Sequence, residues 1–291
     1  MTLPKFEYFA PESVEEACTL LQEKGDAAAV MAGGTDLLVN MAHRLTSPKA
    51  LIGLKKIKEL ERITFDKKTG LNIGATALLA HVASHPIIQR KYPGVAQAAR
   101  ETANVQIRNM GTVAGNLCNA APSADNAPTL IVMGAQVTLT STTGERRLPL
   151  DRFFRGPGLS AMEHGEILTS IFVPLPPPFS GTSYEHISAR GKVDISAVCV
   201  GVMVIMDGET CEEAKIALGA VAPVPMRAIK TERLIKGKAL TQPLMERAGI
   251  QASKEASPIT DVRATAEYRR KMVEVLTKRA LMEAKKRALK K

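Results

Sequence analysis

The sequence predicts an α+β protein of two domains. Helix-like and strand-like patterns mix along the first part of the chain with no internal repeat, and the length of 291 residues favours two domains. Residues 174–178 read Pro-Leu-Pro-Pro-Pro, which sustains neither a helix nor a central strand. Three strand-like segments and then helices follow this run. We therefore predict one domain over 1–177, with subdomains of about 1–56 and 57–177, and a second over 178–291.

The first domain opens with a strongly signalled helix. Ser13 and Glu16 have the spacing of a capping box, and Gly25 provides a stop. Short apolar runs predict strands at residues 27–31, 50–54 and 71–75. Helices are predicted at 36–44, near 81–82, at 96–102 and at 127–133. Thr143-Gly144 predicts a hairpin of strands 136–141 and 146–150, and 167–173 forms a last strand.

The second domain is predicted to combine a three-stranded antiparallel sheet with helices. The strands are 183–188, 195–206 and 212–218, and Asp207-Gly208 forms the tight turn between the last two. Helices are predicted at 231–235, 243–256 and 265–288, with Pro243 in a first turn. Cys199 and Cys211 could meet across the hairpin, but as scattered cysteines with no Cys-x-x-Cys pair they are better read as core residues. We predict no metal site in this chain.

The charge distribution argues against nucleic-acid binding despite a net charge of +10. Residues 267–291 hold ten Lys or Arg against three Glu, so this segment carries +7 and the remaining 266 residues only +3. The preferred interpretation is a solvated helix face with a frayed basic end, and a subunit contact is the alternative. The sequence shows no signal peptide and no apolar stretch of membrane-helix length, which predicts a cytoplasmic protein without membrane insertion.

Two glycine loops are the most informative features of the chain. Residues 32–36 read Ala-Gly-Gly-Thr-Asp, between a predicted strand and a predicted helix. Residues 111–116, about 80 positions later, read Gly-Thr-Val-Ala-Gly-Asn. Glycine lets the backbone approach a ligand, and the amides of such loops suit phosphate or sugar oxygens. The first loop alone is a weak signal, because a plain strand–helix turn often uses glycine; together the two loops predict one long ligand held at both ends.

The segment after the second loop is rich in small and hydrogen-bonding residues. Asn116 is followed by Asn119, Ser123 and Asp125. Such side chains suit a polyhydroxyl ligand. Asp125 has a strong alternative role as the cap of the helix that follows.

These motifs resemble the FAD-binding medium subunit of molybdenum hydroxylases, a family that includes bacterial xanthine dehydrogenases and aerobic carbon monoxide dehydrogenases. Beside the first loop, the resemblance rests on 107–116 (Ile-Arg-Asn-Met-Gly-Thr-Val-Ala-Gly-Asn) and 121–125 (Ala-Pro-Ser-Ala-Asp). It extends over the whole chain through 9–11 (Phe-Ala-Pro), 165–168 (Gly-Glu-Ile-Leu) and 266–270 (Ala-Glu-Tyr-Arg-Arg). The resemblance implies a vanillyl-alcohol-oxidase-type (PCMH) FAD-binding domain followed by a small α+β C-terminal domain.

The resemblance also implies a set of FAD contacts. The first loop would wrap the pyrophosphate through Val30, Met31, Ala32, Gly33, Gly34, Thr35, Asp36 and Leu37. The second set comprises Thr112, Gly115, Asn116, Asn119 and Asp125. Thr102 and Ala103 match a flanking contact, and Leu168 matches a residue near the adenine or flavin.

The chain departs from the family pattern at two places. Relatives use a lysine beyond the linker to contact FAD, whereas here the aligned segment is Tyr184-Glu185-His186 with Glu185 at the expected position. Lys192 is the candidate substitute. Ala114 stands where the family often has glycine, which the small side chain permits unless φ is positive.

The function implied by the resemblance is electron transfer within a complex. A small subunit with two [2Fe–2S] clusters and a large molybdopterin subunit would be the partners, and electrons would pass through FAD to NAD or another acceptor. The sequence shows no acid–base constellation, so we predict no catalytic residue in this chain and an oxidoreductase subunit that is inactive alone. The alternatives are a non-catalytic interaction or scaffold subunit, and a self-sufficient FAD-dependent oxidase.

Overall fold

The structure, a computed structural model, describes residues 2–191 and 194–290. The N-terminal part begins with β1 (Glu7–Phe9), α1 (Val14–Lys24), β2 (Ala28–Met31), α2 (Leu37–Ala42) and β3 (Ala50–Gly53). The strands form a parallel sheet in the order β1-β3-β2. As predicted, the Ser13 hydroxyl caps α1 by accepting from the Glu16 amide (3.1 Å), and Gly25 with φ +54° follows the last helical residue.

A second layer follows with β4 (Ile63–Asp66), β5 (Gly70–Gly74) and a run of short helices. These helices are α3 (Leu79–Ser84), α4 (Pro86–Lys91), α5 (Pro93–Glu101), α6 (Val105–Arg108), α7 (Val113–Cys118) and α8 (Asn126–Val132). The strands β6 (Gln136–Ser141), β7 (Gly144–Pro149), β8 (Phe154–Gly156), β9 (Leu159–Ser160) and β10 (Ile167–Pro174) complete it. The antiparallel sheet has the order β4-β5-β10-β6-β7 and packs its apolar face on the helices.

The C-terminal part is a long antiparallel sheet covered by helices. It contains β11 (Ser180–Ser188), β12 (Ser196–Asp207), β13 (Thr210–Gly219), β14 (Met226–Arg227), α9 (Ile229–Ile235), β15 (Lys238–Ala239), α10 (Gln242–Glu255) and α11 (Ala266–Leu289). The predicted antiparallel strands are β11, β12 and β13; the two-residue strands β14 and β15, too short to leave a sequence pattern, extend the sheet.

Both faces of β12 are buried, which explains its nearly unbroken apolar sequence. Val198, Val200, Val202 and Val204 face the core formed with α10 and α11. The alternate residues face the N-terminal part, where Met203 joins the core of the second layer. Gly201 lies so close to α8 that an added Cβ would be 2.6 Å from the carbonyl carbon of Pro128. The C-terminal sheet is therefore packed directly on the helices of the second layer.

Two expectations from the sequence are resolved by this packing. Cys199 pairs in register with Gly219 and Cys211 with Met206, so the two cysteines do not meet; both are buried core residues. The basic segment forms α11 as far as Leu289 and still buries Ala284 and Ala288, and Lys291 at its basic end lies outside the described residues. Within the described residues, each helix is too short or too polar to cross a lipid bilayer.

We expect Gly201→Ala to lower the free energy of unfolding by about 1–3 kcal/mol, because the new methyl group would overlap backbone atoms of α8 rather than a movable side chain. Urea denaturation measures the change. Gly156→Ala is the matched control, since its Cβ would meet only the Leu159 side chain, at ordinary distances of 3.6 and 3.9 Å. Equal stability of the two variants would contradict the close packing of β12 on α8.

Candidate functional site

A cleft of about 690 Å³ lies where the two glycine loops and the start of β12 come together. Among the described residues, its lining includes all predicted site residues except Leu168, namely Val30, Met31, Ala32, Gly33, Gly34, Thr35, Asp36, Leu37, Thr102, Ala103, Thr112, Gly115, Asn116, Asn119 and Asp125. The volume lies in the range of ligand and cofactor pockets. The sequence patterns thus indicate residues that the fold brings to one place.

The first loop presents a series of free backbone amides. Gly34 has φ +72°, a left-handed conformation that glycine adopts without strain. The Leu38 amide returns to the Gly34 carbonyl (3.0 Å) and starts α2. Among the described residues, no oxygen accepts from the amides of residues 33–36. Consecutive free amides in such a turn form an anion-binding concavity.

The two loops contact each other directly. A Cβ added to Gly33 would lie 2.2 Å from the Met110 carbonyl oxygen and 2.8 Å from Gly111 Cα. Only glycine fits at position 33 without moving the second loop. The prediction that the loops hold opposite ends of a ligand is therefore modified, because Gly33 of the first loop lies against the start of the second loop.

The second loop is held by its own side chains. The Thr112 hydroxyl caps α7 by accepting from the Gly115 amide (2.9 Å). Asn116 Oδ1 accepts from Nδ2 of the buried Asn126 (3.1 Å). The same Asn126 Nδ2 also donates to the Thr102 hydroxyl (3.2 Å), so one buried amide fixes two residues of the cleft.

The segment after α5 has a strained backbone that an arginine stabilises. Ala103 has φ +47°, which is unusual for a residue with a side chain. Arg108 Nη1 donates to the carbonyls of Thr102 (3.0 Å) and Ala103 (2.7 Å). These two hydrogen bonds satisfy the carbonyl oxygens of the turn and hold Thr102 and Ala103 at the cleft wall.

Asp125 does not cap α8 with its side chain, contrary to the alternative considered from the sequence. Its Oδ1 instead accepts from the Tyr184 hydroxyl (2.6 Å) and the Ser196 hydroxyl (2.6 Å), which belong to β11 and β12. Burial raises the pKa of the Asp125 carboxyl, while these two hydrogen bonds act in the opposite direction. The carboxylate connects the second loop with the C-terminal sheet.

One described residue of the predicted set lies outside the cleft. Leu168 is buried in β10 opposite Leu139, within the core of the second layer and outside the cleft lining. Lys192 lies outside the described residues. Glu185 points to the opposite face of β11 from Tyr184; burial raises its pKa, and Arg279 and Arg287 oppose that shift. Glu185 is absent from the cleft lining.

The cleft also contains residues that sequence reasoning missed. Arg190, Asp194 and Ile195 come from the C-terminal part, and Asn40, Leu79, Asn104, Ile107 and Cys118 come from the N-terminal part. The Arg190 side chain donates to both carboxylate oxygens of Asp194 (3.1 and 3.0 Å), which lowers the Asp194 pKa to about 2. No local pattern marked Arg190, Asp194 or Ile195, because only the tertiary fold brings them to the cleft.

These features fit an extended cofactor that contains a pyrophosphate and hydroxyl groups. Free amides suit phosphate oxygens. Asn119 and Ser123 line the cleft, and their side chains have no hydrogen-bond partner within the described part of the chain. Such groups can donate to and accept from a polyhydroxyl chain.

Comparison with known proteins decides the family. Residues 4–176 match the family described as FAD binding domain in molybdopterin dehydrogenase, and residues 183–284 match the CO dehydrogenase flavoprotein C-terminal domain. The chain belongs to the FAD-binding medium subunits of molybdenum hydroxylases. This result confirms the predicted α+β fold class and the assignment to an oxidoreductase flavoprotein subunit.

Relatives of this flavoprotein subunit match it along nearly the whole chain. It is 34% identical to the carbon monoxide dehydrogenase medium chain of Hydrogenophaga pseudoflava, over 98% of each chain. It is 30% identical to the putative xanthine dehydrogenase FAD-binding subunit of Escherichia coli, over 95% of each. The solved carbon monoxide dehydrogenase from Hydrogenophaga pseudoflava superposes with a TM-score of 0.95 at 35% identity, covering 99% of both chains.

We expect Gly33→Ala to weaken FAD binding by about tenfold or more, because the methyl group would push the two loops apart at the Met110 carbonyl. Equilibrium dialysis measures the Kd, and a thermal melt of the FAD-free chain reports folding. Gly156→Ala again provides the control, as its site lies outside the cleft. Wild-type affinity in Gly33→Ala would show that the contact of the loops does not shape the cofactor site.

Proposed function

We propose that this subunit binds FAD in the cleft and transfers electrons within a cytoplasmic complex. A partner subunit with [2Fe–2S] clusters would deliver the electrons, a molybdopterin subunit would oxidise the substrate, and NAD or another acceptor would receive them. The observation that carries the proposal is the cleft itself, in which free amides of residues 33–36 face the hydrogen-bonding residues 116–125. The family match supports the same cofactor.

Each part of the lining has a distinct proposed role. The amides of the first loop would neutralise the pyrophosphate. Asn116, Asn119 and Asp125 would hold hydroxyl and N–H groups of FAD, with Thr102, Ala103, Thr112 and Gly115 shaping the wall. Leu168, which lies in the core of the second layer, and Lys192 remain proposed contacts that the family resemblance implies. The domain limits 1–177 and 178–291 are part of the same proposal.

When bound, FAD accepts or donates one or two electrons, which couples one-electron clusters to a two-electron acceptor. The chain itself has only to bind, orient and screen the cofactor. The cleft lining agrees with that role: the described titratable side chains in it are Asp36, Cys118, Asp125, Arg190 and Asp194. Asp125 is bonded to hydroxyl groups and Asp194 to Arg190, and burial raises the pKa of the Cys118 thiol to about 12.

We expect Asn116→Ala to weaken FAD binding about tenfold, because it removes a ligand group and leaves Asn126 Nδ2 with one partner fewer. Fluorescence titration of FAD with the purified chain gives the Kd. Asn72→Ala is the matched control, since Asn72 lines a separate groove on the β4–β5–β10 sheet. A Kd unchanged by Asn116→Ala, or equally affected by both substitutions, would count against the proposed contacts.

The complete complex distinguishes electron transfer from the two alternatives. We expect the FAD-loaded chain alone to show no steady turnover, and substrate to reduce its FAD only after assembly with the iron–sulfur and molybdopterin subunits. Anaerobic visible absorption of the flavin measures the reduction. A scaffold subunit would stay colourless and bind no FAD, whereas steady turnover by the isolated chain would indicate a self-sufficient oxidase.

A further inference from the structure

The orientation of Asp125 depends on residues from the other side of the domain boundary. Asp125 is 8% exposed and lines the cleft. Its Oδ1 accepts from both the Tyr184 and the Ser196 hydroxyls. Its Oδ2 accepts no hydrogen bond from the described residues, and this oxygen remains accessible to solvent. One carboxylate oxygen is therefore fixed by the C-terminal sheet, and the other is left for a group in the cleft.

The hydroxyl groups form a directed chain. Because Ser196 donates to Asp125, its oxygen is free to accept from His186 Nδ1, which is 3.1 Å away. His186 Nε2 in turn lies 3.6 Å from the Glu101 carboxylate of α5. The His186 ring also stacks on Tyr184, with centroids 5.7 Å apart. The Tyr184 and Ser196 hydroxyls both donate to Asp125, and His186 contacts it only through Ser196.

A buried carboxylate stays ionised only when hydrogen bonds replace the lost water. Burial raises the Asp125 pKa; the Ser196 and Tyr184 hydroxyls and the His186 charge lower it, and the Glu101 charge raises it again. Cys199 of β12 also faces the group, but burial raises the pKa of its thiol well above the usual value, so it is neutral. The two hydroxyls are thus the nearest groups that favour the charged form.

We propose that Tyr184 and Ser196 are positioning residues, which hold the Asp125 carboxylate with Oδ2 presented to a hydroxyl or N–H donor of the bound cofactor. The inference rests on the proposed function and extends it, because it makes the C-terminal domain complete the FAD site. The two residues act through Asp125 rather than by touching the cofactor: the cleft lining contains Asp125 but neither hydroxyl residue.

The test compares the FAD Kd of wild type, Tyr184→Phe and Ser196→Ala in the full chain across about pH 4 to 8. Each variant removes one charge-assisted hydrogen bond, and we expect about tenfold weaker binding near neutral pH. Without these donors Asp125 accepts a proton more readily. The pH at which binding is lost on acidification should therefore move upward in both variants, which a general loss of packing would not cause.

Two further variants make the result decisive. Tyr92→Phe is the matched control: Tyr92 is also fully buried, but its hydroxyl lies 3.5 Å from the Val173 carbonyl in another core. Ser196→Thr keeps the hydroxyl group, so FAD binding should be lost at the same pH as in the wild type. If Tyr184→Phe fails to fold, the comparison of Ser196→Ala with Ser196→Thr tests the inference by itself.

The outcomes separate this inference from the proposed function. A wild-type chain that binds no FAD at any pH would overturn the proposed function and this inference with it. The positioning role alone would be overturned if the wild-type chain binds FAD and both Tyr184→Phe and Ser196→Ala leave the Kd unchanged. The pH at which binding is lost on acidification would then also be unchanged in both variants. An upward shift in Ser196→Ala that Ser196→Thr reverses, with Tyr92→Phe unaffected, supports it.

Discussion

The close approach of Gly33 to the Met110 carbonyl is the constraint on which the cleft depends. The first loop follows a parallel sheet and the second follows a run of helices, so they belong to different layers of the N-terminal part. A side chain at position 33 would separate these layers, because its Cβ would overlap main-chain atoms that cannot rotate away. Glycine at this position brings the two loops to one wall of the cleft, where the amides of residues 33–36 have no acceptor among the described residues.

A second constraint fixes the far wall of the cleft. The C-terminal sheet packs on α8 through Gly201 and on the second loop through Asp125. The Gly201 contact is apolar and non-directional. The hydrogen bonds to Asp125, in contrast, set the position of its carboxylate and favour the charged form. Together they explain how a domain whose core lies elsewhere contributes to the site. Arg190 and Asp194 reach the cleft from the same side.

Much of the fold was predictable because its signals are local. The predicted strand at 195–206 and helix at 265–288 are observed as β12 (Ser196–Asp207) and α11 (Ala266–Leu289), since periodicity and caps act over neighbouring residues. The short strands β14 and β15 were missed, because two residues carry no periodicity. The glycine motifs indicated the loops of the cleft, but Arg190 and Ile195 carried no comparable signal.

The sequence by itself determined the longer elements, the two glycine loops and the family, because glycine spacing, capping residues and apolar periodicity are local signals within short segments. Only the tertiary structure decided that the loops touch at Gly33, that Tyr184 rather than Glu185 faces the cleft side of β11, and that Asp125 is bonded to Tyr184 and Ser196 instead of capping a helix. The physical reason is distance along the chain: Asp125 and Ser196 are 71 residues apart, and strand register and packing alone bring such groups together.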